Sequence, residues 1–271
     1  MMRALYTAAT GMKAGQVNVD TIANNLSNVN TNGYKTVRAE FKSLLYQTIQ
    51  TKTTTANGEE KPVGAQVGLG TRLASTTSMY TQGAMTASES ATDFALEGDG
   101  FFAIRGIDGQ TYYTRNGNFT WAIDAAGNTL LTDVEGCPVL DRNGNAIYVP
   151  AGVTAERMIF QQDGSIGYMN ADQEYVSLEQ SFGIYQFNNP SGLEKLSYSR
   201  LQQSEASGEP MLEGQMGTRP SKVCQYYLEG SNVQVADEMV NMIIAQRAYE
   251  MNSKAIQTAD SMLDTANNLK R

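Results

Sequence analysis

The sequence predicts an α+β protein: N- and C-terminal helices that form a coiled coil, with a central all-β, hairpin-rich domain between them. Three observations carry this expectation. Apolar residues recur near both ends at alternating four- and three-residue spacing, which puts them on one helical face. No proline or glycine interrupts the last stretch after Gly230. Between the ends, Asp-Gly and Asn-Gly pairs come at short intervals, and they supply the positive φ angles that tight hairpins demand.

The first helix is read from Leu5, Ala9, Met12, Gln16, Val19, Ala23 and Leu26, with Ala8, Gly15 and Ile22 alongside. This is the seam geometry of a coiled coil. It should stop at Asn28-Val29-Asn30-Thr31-Asn32-Gly33, because asparagine tolerates left-handed backbone and glycine adopts it freely. The last helix should start from a Ser231 or Asn232 cap, with Asp237 and Glu238 near the positive end of its dipole. Its stripe runs through Val233, Val240, Ile244, Ala248, Met251, Ala255, Ala259, Met262, Ala266 and Leu269. At 1.5 Å per residue the two helices would be about 37 and 57 Å long.

The middle is read as β-rich from about Thr71 to Tyr227. Turn signals stand at Asp108-Gly109, Asn116-Gly117, Gly127-Asn128, Asn143-Gly144 and Asp163-Gly164. The runs Phe101-Phe102-Ala103-Ile104, Thr111-Tyr112-Tyr113-Thr114 and Gly183-Ile184-Tyr185-Gln186-Phe187 favour strands. Residues Gln50 to Gly70 fit neither period; their polar, breaker-containing composition reads as a loop or linker. The expected division is an N-terminal helix at 1–34, an extended connecting or insertion segment at 35–71, a β domain at 72–227 and a C-terminal helix at 228–271.

Composition narrows the chemistry. The chain has 271 residues and a formal net charge of −8, which disfavours binding nucleic acid, since that needs a basic face to neutralise phosphates. It has no histidine, which removes the commonest general base and metal ligand and every Ser-His or Cys-His pair. Cys137 and Cys224 form no metal-ligand spacing; they are either disulfide-bonded or two buried thiols. The start, Met1-Met2-Arg3-Ala4-Leu5-Tyr6-Thr7, is not a cleavable secretory signal, and no stretch approaches the roughly 20 apolar residues of a membrane span.

Three motif-like stretches depart from the patterns of ligand sites. Asp141-Arg142-Asn143-Gly144-Asn145 opens like a calcium loop but has Ala146 at the sharp-turn glycine and Gly152 at the bidentate glutamate, so an Asn-Gly hairpin is the better reading. Gly98-Asp99-Gly100-Phe101 lacks the third glycine and the helix of a dinucleotide site. Gly68-Leu69-Gly70 lacks the phosphate-loop lysine. No carboxylate pair stands out among the acidic residues, and Trp121 is expected to pack the β core. No catalytic residue, cofactor or metal ligand is assigned.

The terminal seams are rich in alanine and bury little per residue, while ordering a helix costs conformational entropy at every position. One expectation is that both ends order on assembly; the alternative is an ordinary helix pair within one chain. The expected assembly interface is Leu5, Met12, Val19, Leu26, Val240, Ile244, Met251, Ala255 and Met262.

The same two ends carry a resemblance. Ala23-Asn24-Asn25-Leu26-Ser27-Asn28-Val29-Asn30-Thr31-Asn32-Gly33-Tyr34-Lys35 resembles the N-terminal signature of the flagellar rod and hook axial proteins. Ser231-Asn232-Val233-Gln234-Val235-Ala236-Asp237-Glu238-Met239-Val240, continuing through Gln246-Arg247-Ala248-Tyr249-Glu250-Met251-Asn252-Ser253-Lys254, resembles their C-terminal signature. The motif residues singled out are Asn24, Asn25, Leu26, Asn28, Asn30, Thr31, Gly33, Ser231, Asn232, Val233, Gln246, Arg247, Tyr249 and Glu250. Phe41 to Thr48, the stretch ending Gly64 to Arg72, Gln82-Gly83, Gly98 to Phe102 and Tyr113 to Phe119 resemble segments of the family's distal-rod branch.

The resemblance implies a structural subunit without catalysis, cofactor or nucleic-acid partner. It implies a helical homopolymer with terminal helices inside and β domains outside, forming a tube that transmits torque. It implies proximal rod proteins and the hook protein as neighbours, and ring or bushing proteins where the host has an outer membrane. Export would run through the flagellar type III apparatus without a cleaved signal, to a periplasmic rod in the basal body. Gln50 to Gly70 would then lie along neighbouring subunits rather than dangle. Competing readings are a proximal-rod or hook-type protein, a secreted oligomeric binding module, or a peptidoglycan enzyme.

Overall fold

The computed structural model describes residues 2–50, 64–124, 127–150, 153–170, 174–215 and 217–269. They form an α+β chain of two compact units. One unit joins residues 1–27, 37–78 and 234–271; the other comprises 28–36 and 79–233.

The helical unit holds α1 (Met2–Ser27) and α2 (Val235–Asn268). They run antiparallel: Gly11 lies under Asn252, Gly15 under Tyr249, and Asn25 reaches Glu238. α1 ends where expected, before the asparagine-rich turn. α2 starts later than expected, at Val235, with Gln234 at the cap position and no side-chain cap. Neither Ser231 nor Asn232 caps it, because the Asn232 side chain is bound to Thr36, Met79 and Thr81 instead. Its 34 residues therefore span about 51 Å, shorter than the sequence suggested.

Strands also begin earlier than expected, at Val37. β1 (Val37–Ser43) pairs antiparallel with β4 (Thr71–Ser78), and β2 (Tyr46–Gln50) with β3 (Ala65–Gly68). In β1 the half-buried Val37 and Ala39 alternate with the exposed Arg38 and Glu40, the two-residue period of a one-faced strand. Residues 51–63, most of the polar stretch read as a linker or insertion, lie outside the described residues.

The β unit is built around a six-stranded sheet. Its order is Glu194–Lys195, Arg200–Gln202, Thr111–Thr114, Phe101–Arg105, Ile184–Gln186, Met211–Leu212. Phe101–Arg105 is central and buried on both faces. Phe101 and Ala103 enter one cluster with Tyr113, Leu140 and Phe187; Phe102 and Ile104 enter the other with Phe94, Phe119, Leu131 and Val139. Trp121 packs against the second cluster, as expected, 6.5 Å from the Phe160 ring centre. Both cysteines are free thiols, Cys137 buried and Cys224 half-buried.

Most of the turn signals behave as read: Gly109, Gly127, Gly144 and Gly164 all have positive φ. Asp141 Oδ1 accepts from Asn143 and Asn145 backbone N–H groups, which makes the Asp141–Asn145 stretch a side-chain-braced turn. Gly117 departs from the expectation because it has no positive φ. It is glycine because a Cβ there would collide with the Phe94 carbonyl, whose residue pairs with Gly117 through the backbone. No helix among the described residues is long and apolar enough to cross a membrane.

Candidate assembly interface

In the helical unit, Leu5, Met12, Val19 and Leu26 are all half-buried. The companion positions differ from the reading by one residue. Ala8 and Ile22 are the buried positions and Gly15 is half-buried, while Gln16 and Ala23 face outward. The inner face thus runs 5-8-12-15-19-22-26. Glycine at 11 eases the approach of α2, since a Cβ there would come within 2.8 Å of the Asn252 amide nitrogen, whereas a Cβ at Gly15 would only touch Tyr249 at 3.6 Å.

Of the stripe expected on α2, Ala248 and Ala259 turn inward towards α1 and most of the rest does not. The side chains turned inward are Glu238, Met242, Ala245, Ala248, Asn252, Ile256, Ala259 and Leu263, a heptad-like series with polar members. Val240, Ile244, Met251 and Met262 face outward, Met251 at 65% exposure, and Ala255 is exposed too. Met239, Ile243 and Leu269 add to this outward apolar surface.

Motif residues of the helical unit have separate tasks. Asn25, buried, donates Nδ2–H to the Val37 carbonyl at 2.8 Å and accepts the Val37 N–H at 2.9 Å, so it acts as a strand partner for the first residue of β1. Asn24 is exposed. Arg247 and Glu250 pair at 2.8 Å on the surface, one helical turn apart. Gln246, Tyr249 and Glu250 line an open groove with Gln16 and Val19.

In the β unit the remaining motif residues converge on an ionic centre that the sequence reading did not find. The Glu229 side chain is fully buried. Its Oε1 accepts from Lys35 Nζ at 2.5 Å and from Gly83 N–H at 3.0 Å, and its Oε2 from Arg115 Nη1 at 3.3 Å. Lys35 Nζ also donates to the Thr81 carbonyl at 2.7 Å. Burial pushes the Lys35 ammonium and the Arg115 guanidinium down from their ordinary pKa values, and the Glu229 charge opposes both shifts.

Around this centre the two chain signatures interlock. Gly33 N–H donates to the Glu229 carbonyl at 2.8 Å, and Asn232 N–H to the Tyr34 carbonyl at 3.4 Å. Asn232 Oδ1 accepts from both Thr36 N–H and Thr36 Oγ1–H at 2.7 Å. Thr31 Oγ1 donates to Asn28 Oδ1 at 3.1 Å, and Ser231 Oγ accepts the Val233 N–H. Val233 is buried and Asn30 exposed. The motifs are therefore folding elements first, and nothing in this centre resembles a reactive site.

At Gly33 glycine is required on two counts. Its φ is +69°, and a Cβ would lie 2.8 Å from the Arg115 and Asn116 backbone. Gly33→Ala should destabilise the β unit by about 2 kcal/mol or more, left-handed strain alone costing roughly 1–2 kcal/mol. Urea unfolding followed by Trp121 fluorescence measures it; an unchanged midpoint would contradict the assigned geometry.

Comparison with known proteins agrees with this architecture. Residues 5–35 match the family described as Flagella basal body rod protein. Residues 95–168 match the Flagellar hook protein FlgE/F/G D1 domain, and residues 225–269 the Flagellar basal body rod FlgEFG protein C-terminal. These matches define a class, the axial subunits of the flagellar rod and hook. The chain is 45% identical to the flagellar basal-body rod protein FlgG of Borreliella burgdorferi, covering 100% of both chains. It is 40% identical to that of Buchnera aphidicola from Acyrthosiphon pisum, over 99% of this chain and 100% of the relative. The FlgG of Bacillus subtilis is 36% identical over the whole of both. The chain belongs to the FlgG family of flagellar basal-body rod proteins and is a structural subunit of the distal rod, not an enzyme.

Proposed function

We propose that the subunit polymerises into a helical tube through coiled-coil contacts of its terminal helices, and that the tube transmits torque from motor to hook. The outward apolar stripe of α2 carries this reading. Val240, Ile244, Met251 and Met262 are each more than half exposed, on a helix whose opposite face is already engaged with α1. Exposed apolar surface of that extent marks an interaction site. A contact joining different patches of successive copies repeats without closing and builds a filament. Only Ala8, Ile22, Asn25, Ala245 and Ala259 are buried within the helix pair, so the helices gain most of their packing from neighbours.

The partners that go with this reading are further copies of the chain, proximal rod proteins below and hook protein above. Ring proteins would surround the tube in hosts with an outer membrane, so the rod would stand in the periplasm after passage through the flagellar type III export apparatus. The stretch around residues 50–70 would lie along neighbouring subunits. Family membership supports each of these assignments.

Met251→Asp tests the seam. The side chain is exposed in the single chain, so the variant should fold normally, yet it places a charge where copies meet. Polymerisation followed by light scattering and electron microscopy should stop, while circular dichroism stays unchanged. A Met251→Asp protein that forms tubes at the wild-type critical concentration would remove Met251 from the interface.

A further inference from the structure

Beside the buried Glu229 centre, within the β unit, lies a half-open cavity of about 210 Å³. Four cationic side chains line it, Lys35, Arg115, Lys195 and Arg200, and no carboxylate among the described residues does. That concentrates four of the chain's 20 lysines and arginines in one wall, in a protein of net charge −8.

The charges around this wall are not balanced. Lys35 and Arg115 share a single carboxylate, Glu229. Arg200 has two, Asp133 and Glu135, each at 3.4 Å. Lys195 has no carboxylate within ion-pair distance among the described residues; its ammonium lies 5.5 Å from the centre of the Tyr34 ring. Asp99 also acts on Arg115, so the cation left without a close counter-charge is Lys195.

The turn beside the cavity is held in a rare conformation, Tyr198 and Ser199 both lying in the left-handed region at φ 60° and 58°. Such backbone persists only where its surroundings enforce it, and it clusters at ligand-binding positions.

We propose that this cavity is a carboxylate-binding site, which takes a carboxylate carried on a small apolar body. The carboxylate pairs with Lys195, and the body packs against Tyr34, Tyr80 and Leu196. The volume admits a single ring with its carboxylate, since a cavity of about 150 Å³ accommodates benzene. The carboxylate has two possible sources, an acidic side chain of a neighbouring subunit or a free small acid.

Benzoate is the probe and benzamide its neutral control, titrated into the full-length protein kept too dilute to polymerise. Side-chain NMR signals of Tyr34 and Lys195 report occupancy. Benzoate should bind saturably and benzamide at least about tenfold more weakly, a difference of one neutralised charge contact. Lys195→Gln, on an exposed side chain, should leave the near-UV spectrum unchanged and weaken benzoate about tenfold. If saturating benzoate also slows polymerisation of the wild type, the natural carboxylate comes from a neighbouring subunit; if the rate is unaffected, it is a free acid. Benzamide binding as tightly as benzoate, or Lys195→Gln binding benzoate like the wild type, would overturn the proposal.

Discussion

Replacing Glu229 by alanine should cost the β unit roughly 3–5 kcal/mol, as expected when one partner is removed from a buried ionic group. Lys35 and Arg115 would then be two buried cations with no carboxylate within ion-pair distance among the described residues, and Gly83 N–H would lose its acceptor. Urea denaturation followed by Trp121 fluorescence is the direct measurement. Glu229→Gln, which keeps the shape and one carbonyl acceptor, should lose less. A triple replacement, Lys35→Met with Arg115→Met and Glu229→Leu, should recover much of the loss because apolar packing removes the desolvation penalty altogether. If Glu229→Ala unfolds at the wild-type urea concentration, the ionic centre is not what holds the two signatures together.

Phe94→Ala should be comparably severe, about 3–5 kcal/mol. The ring is 0% exposed and sits among three others, with centroids 4.6 Å from Phe160, 5.0 Å from Phe182 and 6.2 Å from Phe119. Removing it deletes the edge-to-face contacts with Phe160 and Phe182 and opens a void that the remaining rings can fill only by shifting. Phe94→Leu, which restores most of the volume, should cost substantially less. The readout is again the urea midpoint, and a loss below about 1 kcal/mol for the alanine variant would mean the core collapses into the gap.

How far the sequence revealed this arrangement depends on how local each signal was. The α1 seam was legible at Leu5, Met12, Val19 and Leu26 because those positions lie seven apart. The intervening choice between Ala8 and Ala9, or Gly15 and Gln16, was weakly determined, since small residues on either side of a seam look alike. On α2 the apolar series was visible, but apart from Ala248 and Ala259 most of it belongs to the outward surface. The inner series includes Glu238 and Asn252, which a search for apolar residues passes over. β1 alternates in a readable way, yet its exposed Phe41 and charged neighbours blurred the boundary with the segment that follows.

The Glu229 centre was not legible at all. Glu229 is 194 positions from Lys35 and 114 from Arg115, and no spacing rule connects residues that far apart. Lys35 and Arg115 both stood inside segments singled out by resemblance, which marked their importance without giving its cause. The cause is that a buried carboxylate needs cationic partners, and only the fold supplies them.

The helical unit draws on three separated stretches of chain, 1–27, 37–78 and 234–271. Asn25 meets Glu238 across 213 positions. Contacts of such long range form late, because the loop they close must first be brought together at an entropic cost. Under the proposed export, a chain delivered N-terminus first would present α1 with no α2 beside it until its last segment is free. The unit would then act kinetically as a completion check: a half-delivered subunit would have neither a finished helix pair nor the outward stripe, and only a whole one could add to the proposed polymer.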